Sequence, residues 1–347
     1  MGGAVILAED SRSLADLRAR GARAATGFES LGIGPGDRIA TLTRNCHESF
    51  EIAFAAASLG AYVVPINWHS AAPEVDYILK DSGASVLVAQ AGLLAPLRAQ
   101  LELAIPLLVI GANSEGDTDW AEWQAGFSAY DKPAPPPVGT MIYTSGTTGK
   151  PKGVVRDNGG HAVAMHYSMK AVYNMDAGEV FWAASDVGWV VGHSYIVYAP
   201  LLAGCTTILY EGKPVGTPDA GAFWRVCAEH GVKSLFTAPT AFRAIRKEDP
   251  EGEHLQRYDL SRFEALYLAG ERCDPDTIAW AAGLLKVPVV DHWWQTETGW
   301  PVAAVCRGIE EGTVRSGAAG LPVPGFDIRV LDDDGQPVPA DGIGNIV

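Results

Sequence analysis

The stretch TMIYTSGTTGKPKGVV, residues 140–155, decides the fold. It opens with a short apolar run at 141–143, which is typical of a buried strand. Glycines then let the backbone approach a ligand closely, and hydroxyls, backbone N–H groups and lysines can donate to phosphate oxygens. The glycines are Gly146, Gly149 and Gly153, the hydroxyls are those of Thr144, Ser145, Thr147 and Thr148, and the lysines are Lys150 and Lys152. The stretch therefore predicts a loop that holds a polyphosphate.

Two other interpretations of this loop were open on its composition. A Walker A loop has a different glycine spacing and a Ser or Thr after its lysine, whereas Pro151 follows Lys150 here. A Ser/Thr/Gly cluster is usually a flexible surface loop. The predicted strand that precedes this cluster and its two lysines weigh against that interpretation here. The order YTSGTTGKPKG resembles the signature loop of the adenylate-forming superfamily: acyl-CoA synthetases, luciferases and peptide-synthetase adenylation domains. The resemblance implies that the loop closes on the β- and γ-phosphates of ATP while a carboxylate is joined to AMP, pyrophosphate is released, and the acyl group passes to a thiol.

The charge balance excludes several kinds of partner. The 347 residues contain 26 Lys and Arg against 41 Asp and Glu, a formal net charge of −15. Such an acidic chain is unsuited to nonspecific binding of nucleic acid or of an anionic membrane surface. The longest apolar stretch, residues 52–66, is broken by Ser58, Gly60 and Pro65 and is too short to cross a bilayer. We therefore expect no nucleic-acid partner and no membrane insertion, and the oligomeric state stays open.

The cysteines and the N-terminal residues indicate the cellular compartment of the protein. The five cysteines form no CxxC pair and no Cys/His cluster, so they indicate neither a zinc site nor a disulfide framework. The first residues lack the basic region and long apolar core of a secretory signal. Both features favour the cytoplasm.

Helix-like and strand-like segments alternate along the chain, which predicts an α/β fold with mostly parallel sheets flanked by helices. Before the loop, helices are predicted over 14–31, 45–59, 74–81 and 93–103, and strands over 38–42, 62–66, 86–89 and 107–110. Asn45 is the predicted N-cap of the second helix. The glycines at 32, 34 and 36 follow a helix, whereas a dinucleotide-binding motif follows a strand, so they predict a turn.

After the loop, strand-like and helix-like segments alternate again, and a β-rich stretch follows them. Strands are predicted over 180–184, 206–210, 234–237, 265–268 and 287–290, with helices near 222–230, 241–247 and 276–286. From residue 317 onward a β-hairpin is predicted, with arms at 325–331 and 336–339 around a turn at 332–335. The predicted domains are an N-terminal α/β subdomain at 1–138, a second α/β subdomain with the phosphate loop and an acyl pocket at 139–312, and a β-rich subdomain at 313–347. Together they would be the large N-terminal domain of the adenylate-forming fold.

Three further segments place reactive or aromatic groups where α/β sheets bind ligands. They are SDVGWVVGHSY at 185–195, LAGER at 268–272 and DHWWQTETG at 291–299. The last two follow predicted strands, and ligands bind beyond the carboxyl ends of strands. A carboxylate there, such as Glu297, is suited to Mg²⁺, which prefers carboxylate and phosphate oxygens. Each segment alone would be an ordinary core or turn segment, but their succession behind the phosphate loop predicts a site.

DVGWVVGHSYIVYAPLLAG and DHWWQTETGWP resemble the short-chain branch of the superfamily, the acetyl- and propionyl-CoA synthetases. The resemblance implies that the adenine is bordered by Gly270, Glu271 and Arg272, the last in place of a usual proline. It implies that the nucleotide is lined by Asp291, His292, Trp293, Trp294, Gln295 and Thr296. The residues it implies as catalytic are Lys150, Thr296 and Glu297, with Glu297 near magnesium. Trp294 would form the floor of the acyl pocket, with Val190, Val191 and Ala269 around it, and the small Ala269 favours propionate over acetate.

The resemblance departs from the short-chain branch in two places. Residues 1–155, with LGIGPGDRIA and GAYVVPIN, look more like medium- and long-chain acyl-CoA synthetases. The superfamily also continues beyond the position of Val347 to an aspartate that holds the ribose, a hinge and a small domain with the lysine needed for adenylation. We therefore expect an incomplete short-chain acyl-CoA synthetase that uses ATP, Mg²⁺ and CoA and is inactive as the isolated 347 residues. The alternatives are a non-catalytic module that binds ATP or an acyl-adenylate, and an adenylation domain that loads a carrier protein.

Overall fold

A computed structural model of the chain describes residues 4–7, 10–111, 116–136, 138–144, 152–154, 156–310, 312–339 and 342–347. The strands are β1 (Ala4–Leu7), β2 (Asp10–Ser13), β3 (Arg38–Leu42), β4 (Tyr62–Pro65), β5 (Val86–Gln90), β6 (Leu107–Ile110), β7 (Thr118–Asp119), β8 (Ile142–Thr144), β9 (Lys152–Val154), β10 (Val180–Ala183), β11 (Thr206–Leu209), β12 (Val232–Thr237), β13 (Ala265–Leu268), β14 (Val289–Asp291), β15 (Ala303–Ala304), β16 (Leu321–Pro322), β17 (Val330–Leu331) and β18 (Asn345–Ile346). The helices are α1 (Leu14–Ser30), α2 (His47–Leu59), α3 (Ala72–Ser82), α4 (Ala91–Leu94), α5 (Trp120–Ala125), α6 (Asn158–Ala171), α7 (Val190–Gly192), α8 (Ala199–Leu202), α9 (Ala222–His230), α10 (Pro239–Glu248) and α11 (Pro275–Leu285).

The first sheet is parallel and has the strand order β4-β3-β5-β6-β7 within the described residues. One face packs against α1, α2 and Trp120 of α5, and the other face packs against α3. The turn between α1 and β3 holds Gly32 at φ +83° and Gly36 at φ +85°, a conformation that residues with a β-carbon rarely adopt. The prediction of a turn at these glycines is therefore confirmed.

The second sheet carries the order β14-β13-β12-β10-β11-β1-β2, all parallel except β2 at the edge. Alternate side chains of its strands enter separate cores, as the two-residue period of a strand requires. In β10, Phe181 and Ala183 join one apolar cluster while Trp182 joins the other. Strand β1 reaches this sheet from the start of the chain by pairing with β11. Strand β1 therefore belongs to a different sheet from β3 to β7, and the predicted domain boundaries stay a prediction.

The predicted α/β fold with mostly parallel sheets is confirmed, but one helix was predicted wrongly. Instead of a helix over 93–103, the structure has the single turn α4 and a 3₁₀ turn at Arg98–Gln100. Pro96 lies between them. A proline has no N–H to donate and disfavours helical geometry in the residue before it, so the periodic leucines of this segment could not form one helix.

Asn45 was wrongly predicted as a helix cap. Helix α2 begins at His47, and its N-cap residue is Cys46, which makes no side-chain capping bond. Asn45 is 4% exposed and instead donates from Nδ2 to the carbonyl oxygens of Ser185 (2.9 Å) and Tyr210 (3.0 Å). Its Oδ1 accepts from the N–H of Val187 at 2.9 Å. The side chain therefore connects the loop after β3 to the second sheet.

The hairpin predicted near the C-terminus is confirmed only at its turn. The N–H of Val338 donates to the Val330 oxygen at 3.1 Å, and that of Asp332 donates to the Gln336 oxygen at 2.8 Å. The regular ladder of β17, however, is antiparallel to β18, so Leu331 faces Asn345 across it. The segment 336–339 approaches β17 only through an isolated bridge at Pro337, because two prolines in that arm remove ladder donors.

Candidate active site

A cavity of about 710 Å³ opens beyond the carboxyl ends of four neighbouring strands, β14, β13, β12 and β10. These strands are parallel, so the loops that follow them meet at the same edge of the sheet. Such an edge is where open α/β sheets bind ligands, and the volume is in the range of small-molecule sites. The lining residues are Ala184, Ser185, Trp189, Val190, Val191, Phe236, Thr237, Ala238, Thr240, Ala269, Gly270, Glu271, Trp294, Gln295, Thr296 and Glu297.

The structure brings nine of the sequence-predicted site residues to this cavity. Residues from three separate segments, 190–191, 269–271 and 294–297, line it together. They follow β10, β13 and β14, with 190–191 at the start of α7, and the three segments are far apart in the chain. A volume of this size can hold a nucleotide and a short acyl group at once. The roles that the resemblance gave to individual residues stay predictions.

One part of the cavity wall is apolar. Ala269 and Phe236 are buried, and Val191 and Trp294 are partly buried in the same apolar cluster. The indole of Trp294 meets Tyr195 edge-on, with ring centroids 5.6 Å apart and planes at 85°, and lies 6.0 Å from Phe236. Two aromatic neighbours restrict the rotamers that Trp294 can adopt. The indole is therefore a fixed wall for a small apolar group.

The other part of the wall is polar. Gln295 and Glu297 are exposed, and Thr296 is partly buried beside them. Glu271 accepts from Nη2 of Arg243, which lies on α10 and also approaches Asp274 at 3.4 Å. Among the described residues, no group of three or more His, Cys, Asp or Glu lies close enough to hold a metal by itself. The donor set at Glu297 therefore fits Mg²⁺ only if the ion takes its remaining oxygens from phosphates and water, as Mg²⁺ commonly does.

His292 occupies the core beneath the cavity rather than its wall. It is 2% exposed, its Nδ1 lies 2.7 Å from the carbonyl oxygen of Leu268, and its Nε2 lies 3.0 Å from the Tyr173 hydroxyl. Because a carbonyl oxygen can only accept, Nδ1 is the donor. Burial lowers the pKa of His292 to about 4, so the ring is neutral near pH 7. His292 therefore does not line the cavity, and its backbone N–H also donates to the Leu268 oxygen, at 3.0 Å.

The other predicted nucleotide residues also lie outside the cavity wall. Asp291 is 8% exposed at the end of β14 and accepts from the N–H of Cys273 at 3.3 Å, and burial raises the pKa of its carboxyl. Trp293 exchanges backbone hydrogen bonds with Ala303. Arg272 is exposed. Their assignment to the nucleotide stays a prediction.

Most of the predicted phosphate loop lies outside the described residues. Residues 145–151, which include Ser145, Gly146, Thr147, Thr148, Gly149 and Lys150, belong to that part of the chain. The structure does describe the strands on either side. The antiparallel β8–β9 ribbon pairs Thr144 with Lys152, and Lys152 is exposed. The ribbon therefore brings the two ends of the predicted loop together.

Sequence reasoning missed several residues of the cavity wall. Trp189, whose exposed fraction is 50%, stands at the cavity beside the predicted Val190. Thr237, the last residue of β12, and Thr240 also line it, and the Thr237 hydroxyl donates to the Ala184 oxygen at 3.3 Å. The signal that could have found the threonines is the TAPT segment at the end of a predicted strand, because residues in that position lie at the ligand edge of a parallel sheet.

The loop that follows β10 is held from the first sheet's side. Asn45 bonds to Ser185 and Val187 as described above, and the indole N–H of Trp68 donates to the carboxylate of Asp186. Asp186 also accepts from the N–H of Gly188 at 2.8 Å. Burial raises the pKa of the Asp186 carboxyl, although the hydrogen bonds from Gly188 and Trp68 act to lower it. The cavity loop is thus fixed by side chains that lie 118 to 142 residues earlier in the chain.

The helices of the described residues include none that is long and apolar enough to cross a membrane.

A family model and several curated proteins match the chain. A family model described as AMP-binding enzyme matches residues 3–347. The chain is 47% identical to an uncharacterized protein of Pseudomonas aeruginosa over 362 positions, covering 98% of this chain and 58% of that protein. It is 55% identical to the human mitochondrial acyl-CoA synthetase short-chain family member 3 over 236 positions, or 67% of this chain and 34% of that one. It is 50% identical to the propionate–CoA ligase of Escherichia coli over 208 positions, or 60% of this chain and 33% of that one.

Solved structures agree with these sequence relatives. A Brucella canis acyl-CoA synthetase matches with a TM-score of 0.89 at 29% identity, covering 99% of this chain and 63% of that one. The anthranilate CoA ligase AuaEII matches with a TM-score of 0.87 at 22% identity, over 100% of this chain and 66% of that one, which supports the fold alone. The chain spans between about a third and three fifths of the length of the curated relatives described above.

Proposed function

Because the chain belongs to the AMP-binding enzyme family, we propose that it takes part in the ATP-dependent activation of a short-chain carboxylic acid, propionate or acetate. A carboxylate oxygen of the acid attacks the α-phosphorus of ATP, the bond to the pyrophosphate oxygen breaks, and acyl-AMP and pyrophosphate form. A thiol then attacks the acyl carbonyl carbon, and AMP leaves. The substrate carboxylate is the nucleophile of the first step, so the protein needs no activated Ser, Cys or His.

The observation that carries this proposal is the cavity beyond β10, β12, β13 and β14. It combines an apolar wall, closed by Trp294, with a polar wall that presents Thr296 and Glu297. An acyl-adenylate has the same division, with a small apolar group next to a phosphate and a nucleoside. The acid is bound in the part near Val191 and Ala269, and the phosphate is bound near Thr296.

The residues of the chain orient the reactants. Trp294 limits the length of the acid, and the hydroxyl of Thr296 donates to the α-phosphate as negative charge grows on it. Lys150 and the loop hydroxyls hold the β- and γ-phosphates. Glu297 would hold Mg²⁺, which supplies positive charge to offset the charge of the phosphates.

CoA is the proposed thiol acceptor, supported by the names of the relatives, which are acyl-CoA synthetases and a propionate–CoA ligase. A cytoplasmic location is proposed as well. Its support is that all five cysteines are free thiols, four of them buried, as in proteins of a reducing compartment.

The test is equilibrium binding, by calorimetry, of AMP and of alkyl esters of AMP to the 347-residue chain. Binding is the chosen readout because the chain spans only part of the length of its relatives, and binding reports on the residues the chain contains. The propyl ester should bind up to roughly 60-fold more tightly than AMP, because burial of each of its three carbons contributes about 0.8 kcal/mol to the binding free energy. The hexyl ester should lose that advantage against the indole of Trp294.

Two outcomes would count against the proposal. Equal affinity for AMP and for every ester would mean that no acyl pocket adjoins the nucleotide and would favour a plain nucleotide-binding module. Affinity that rises steadily with chain length up to hexyl would mean that the pocket is open-ended and that the acid is not short. Product analysis with CoA and with a carrier protein, in a chain completed with a C-terminal domain, distinguishes the two thiol acceptors.

A further inference from the structure

The turn 295–299, which carries Thr296 and Glu297, is closed by its own hydrogen bonds. The N–H of Gly299 donates to the Gln295 oxygen at 2.9 Å. The Thr298 hydroxyl accepts from the N–H of Gln295 at 3.1 Å and donates to its carbonyl oxygen at 3.0 Å. These bonds shape the turn, but they do not fix where it stands relative to the rest of the cavity.

Arg156 reaches the turn from a part of the chain about 140 residues earlier. Its Nη2 donates to the carbonyl oxygen of Thr296, and it lies 3.5 Å from that of Glu297. The guanidinium is partly buried, and this burial lowers the pKa of Arg156, although the charge of Glu297 acts in the opposite direction. Its Nε is buried with no hydrogen-bond partner among the described residues. A cation in so poor an environment is costly, and such a cost is commonly kept where it serves a site.

The turn is shaped to receive this cation. Gly299 has φ +75°, and a β-carbon added to it would lie 2.6 Å from Cζ of Arg156. Only glycine allows the guanidinium to come so close. From another element, the Ser194 hydroxyl donates to the Gly299 carbonyl oxygen at 2.8 Å. Ser194 lies on the π-helical segment His193–Tyr198, so the turn is held by both Arg156 and this helix.

Arg156 lies between the β8–β9 ribbon and α6 in the chain. Arg156 comes two residues after β9, which forms the ribbon with β8, and the predicted phosphate loop joins these two strands. On its other side Arg156 adjoins α6, whose N-cap residue Asp157 accepts from the N–H of Gly160. From this place between the ribbon and α6, Arg156 contacts the turn through its side chain.

We propose that Arg156 is a positioning residue that couples the β8–β9 ribbon to the turn 295–299. In this way the place of Glu297, the proposed metal residue, is tied to the two strands that flank the predicted phosphate loop. This inference rests on the proposed function for its consequence in catalysis. The contact between Arg156 and the turn stands apart from that function and can be tested without a nucleotide.

The first test is hydrogen exchange of the turn in the 347-residue chain without ligand. Arg156→Met keeps the side-chain length and removes the donors, and deuterium uptake at 295–299 should become about tenfold faster, the effect of losing a charged hydrogen bond. Arg156→Lys, which keeps the charge, should restore part of the protection. Arg307→Met is the matched control, because Arg307 also donates to a backbone oxygen, that of Glu264 at 3.2 Å, away from the cavity. It should leave exchange of the turn unchanged.

The second test is ATP binding as a function of Mg²⁺ concentration. Arg156→Met should raise the Mg²⁺ concentration for half-maximal ATP binding about tenfold, with AMP affinity changed less than twofold, because AMP lacks the phosphates that share the ion. Unchanged exchange at 295–299 would overturn the positioning role. Faster exchange with an unchanged Mg²⁺ requirement, or equal losses for ATP and AMP, would overturn the coupling. If the wild-type chain bound no ATP with Mg²⁺, the proposed function would fail, and the exchange data would still decide whether Arg156 holds the turn.

Discussion

Trp294→Gly should change which alkyl chain the cavity prefers. The indole is wedged between Tyr195 and Phe236 and closes the apolar wall. In the wild type, a hexyl chain must overlap the indole or force it from its rotamer, which costs about 1–3 kcal/mol. Removing the ring opens room for three more methylenes, each worth about 0.8 kcal/mol, or a gain of roughly 60-fold for the hexyl over the propyl ester of AMP.

The same substitution has a cost in stability that must be separated from its effect on binding. Loss of a buried tryptophan side chain costs about 3–5 kcal/mol, and this partly exposed indole should fall at the low end, near 3 kcal/mol. Trp300→Gly is the matched control, since Trp300 is also partly buried and packs on Phe326 at 5.0 Å but does not line the cavity. It should lower the free energy of unfolding to a similar extent and leave the ester ranking intact.

The assay is calorimetric titration of each variant with the propyl, butyl and hexyl esters and with AMP. Trp294→Gly should invert the order of the esters while AMP affinity stays nearly constant. If Trp294→Gly and Trp300→Gly weakened all four ligands in parallel, Trp294 would be only a core residue, and the assignment of a short acyl pocket would be refuted.

Three further predictions address other parts of the molecule. Replacing Gly149 or Lys150 should weaken ATP binding more than AMP binding if the loop has its proposed role of holding the terminal phosphates, and equal losses by calorimetry would contradict this role. Asn45→Ala leaves two carbonyl oxygens and one N–H without their partner, so urea denaturation should register a loss of about 3 kcal/mol; a loss below about 1 kcal/mol would mean that water replaces the amide. The pKa of His292 is about 4 in the folded chain and about 6.5 in the unfolded chain. Between these pH values the unfolded state binds more protons than the folded state. The free energy of unfolding therefore falls as the pH is lowered from about 6.5 to 4. His292→Gln should reduce that slope by up to about 1.4 kcal/mol per pH unit, and an unchanged slope would show that other groups set it.

The sequence predicted the elements whose signals are local. The strand over 265–268 and the helix over 222–230 were predicted with the bounds that the structure has, because each is a compact apolar or amphipathic run between clear breaks. The predicted helix over 93–103 failed for an equally local reason, since Pro96 outweighs the periodicity of the leucines. Local signals therefore succeed where one of them dominates.

The contacts that build the cavity are long-range, and the sequence predicted them only in part. Polar residues after parallel strands could be expected at one edge of the sheet, and Ala269, Gly270 and Thr296 do meet there. The partners of Asn45 lie about 140 and 165 residues away, so its choice between capping a helix and bridging two sheets could not be read from its neighbours. The same holds for Arg156, whose partner carbonyls belong to a turn that has to be placed in space first.

The pairing of β1 with β11 has a consequence for synthesis of the chain. Strand β1 is made before β11, the strand beside which it belongs, which follows about 200 residues later. At the usual elongation rate of about 5–20 residues per second, β1 waits roughly 10 to 40 s on the ribosome for its neighbour. During this time the apolar run AVIL has one open edge, which is a template for pairing with other chains. Its antiparallel partner β2 follows at once and carries Asp10 and Arg12, so the nascent hairpin covers the other edge with charged residues until β11 emerges.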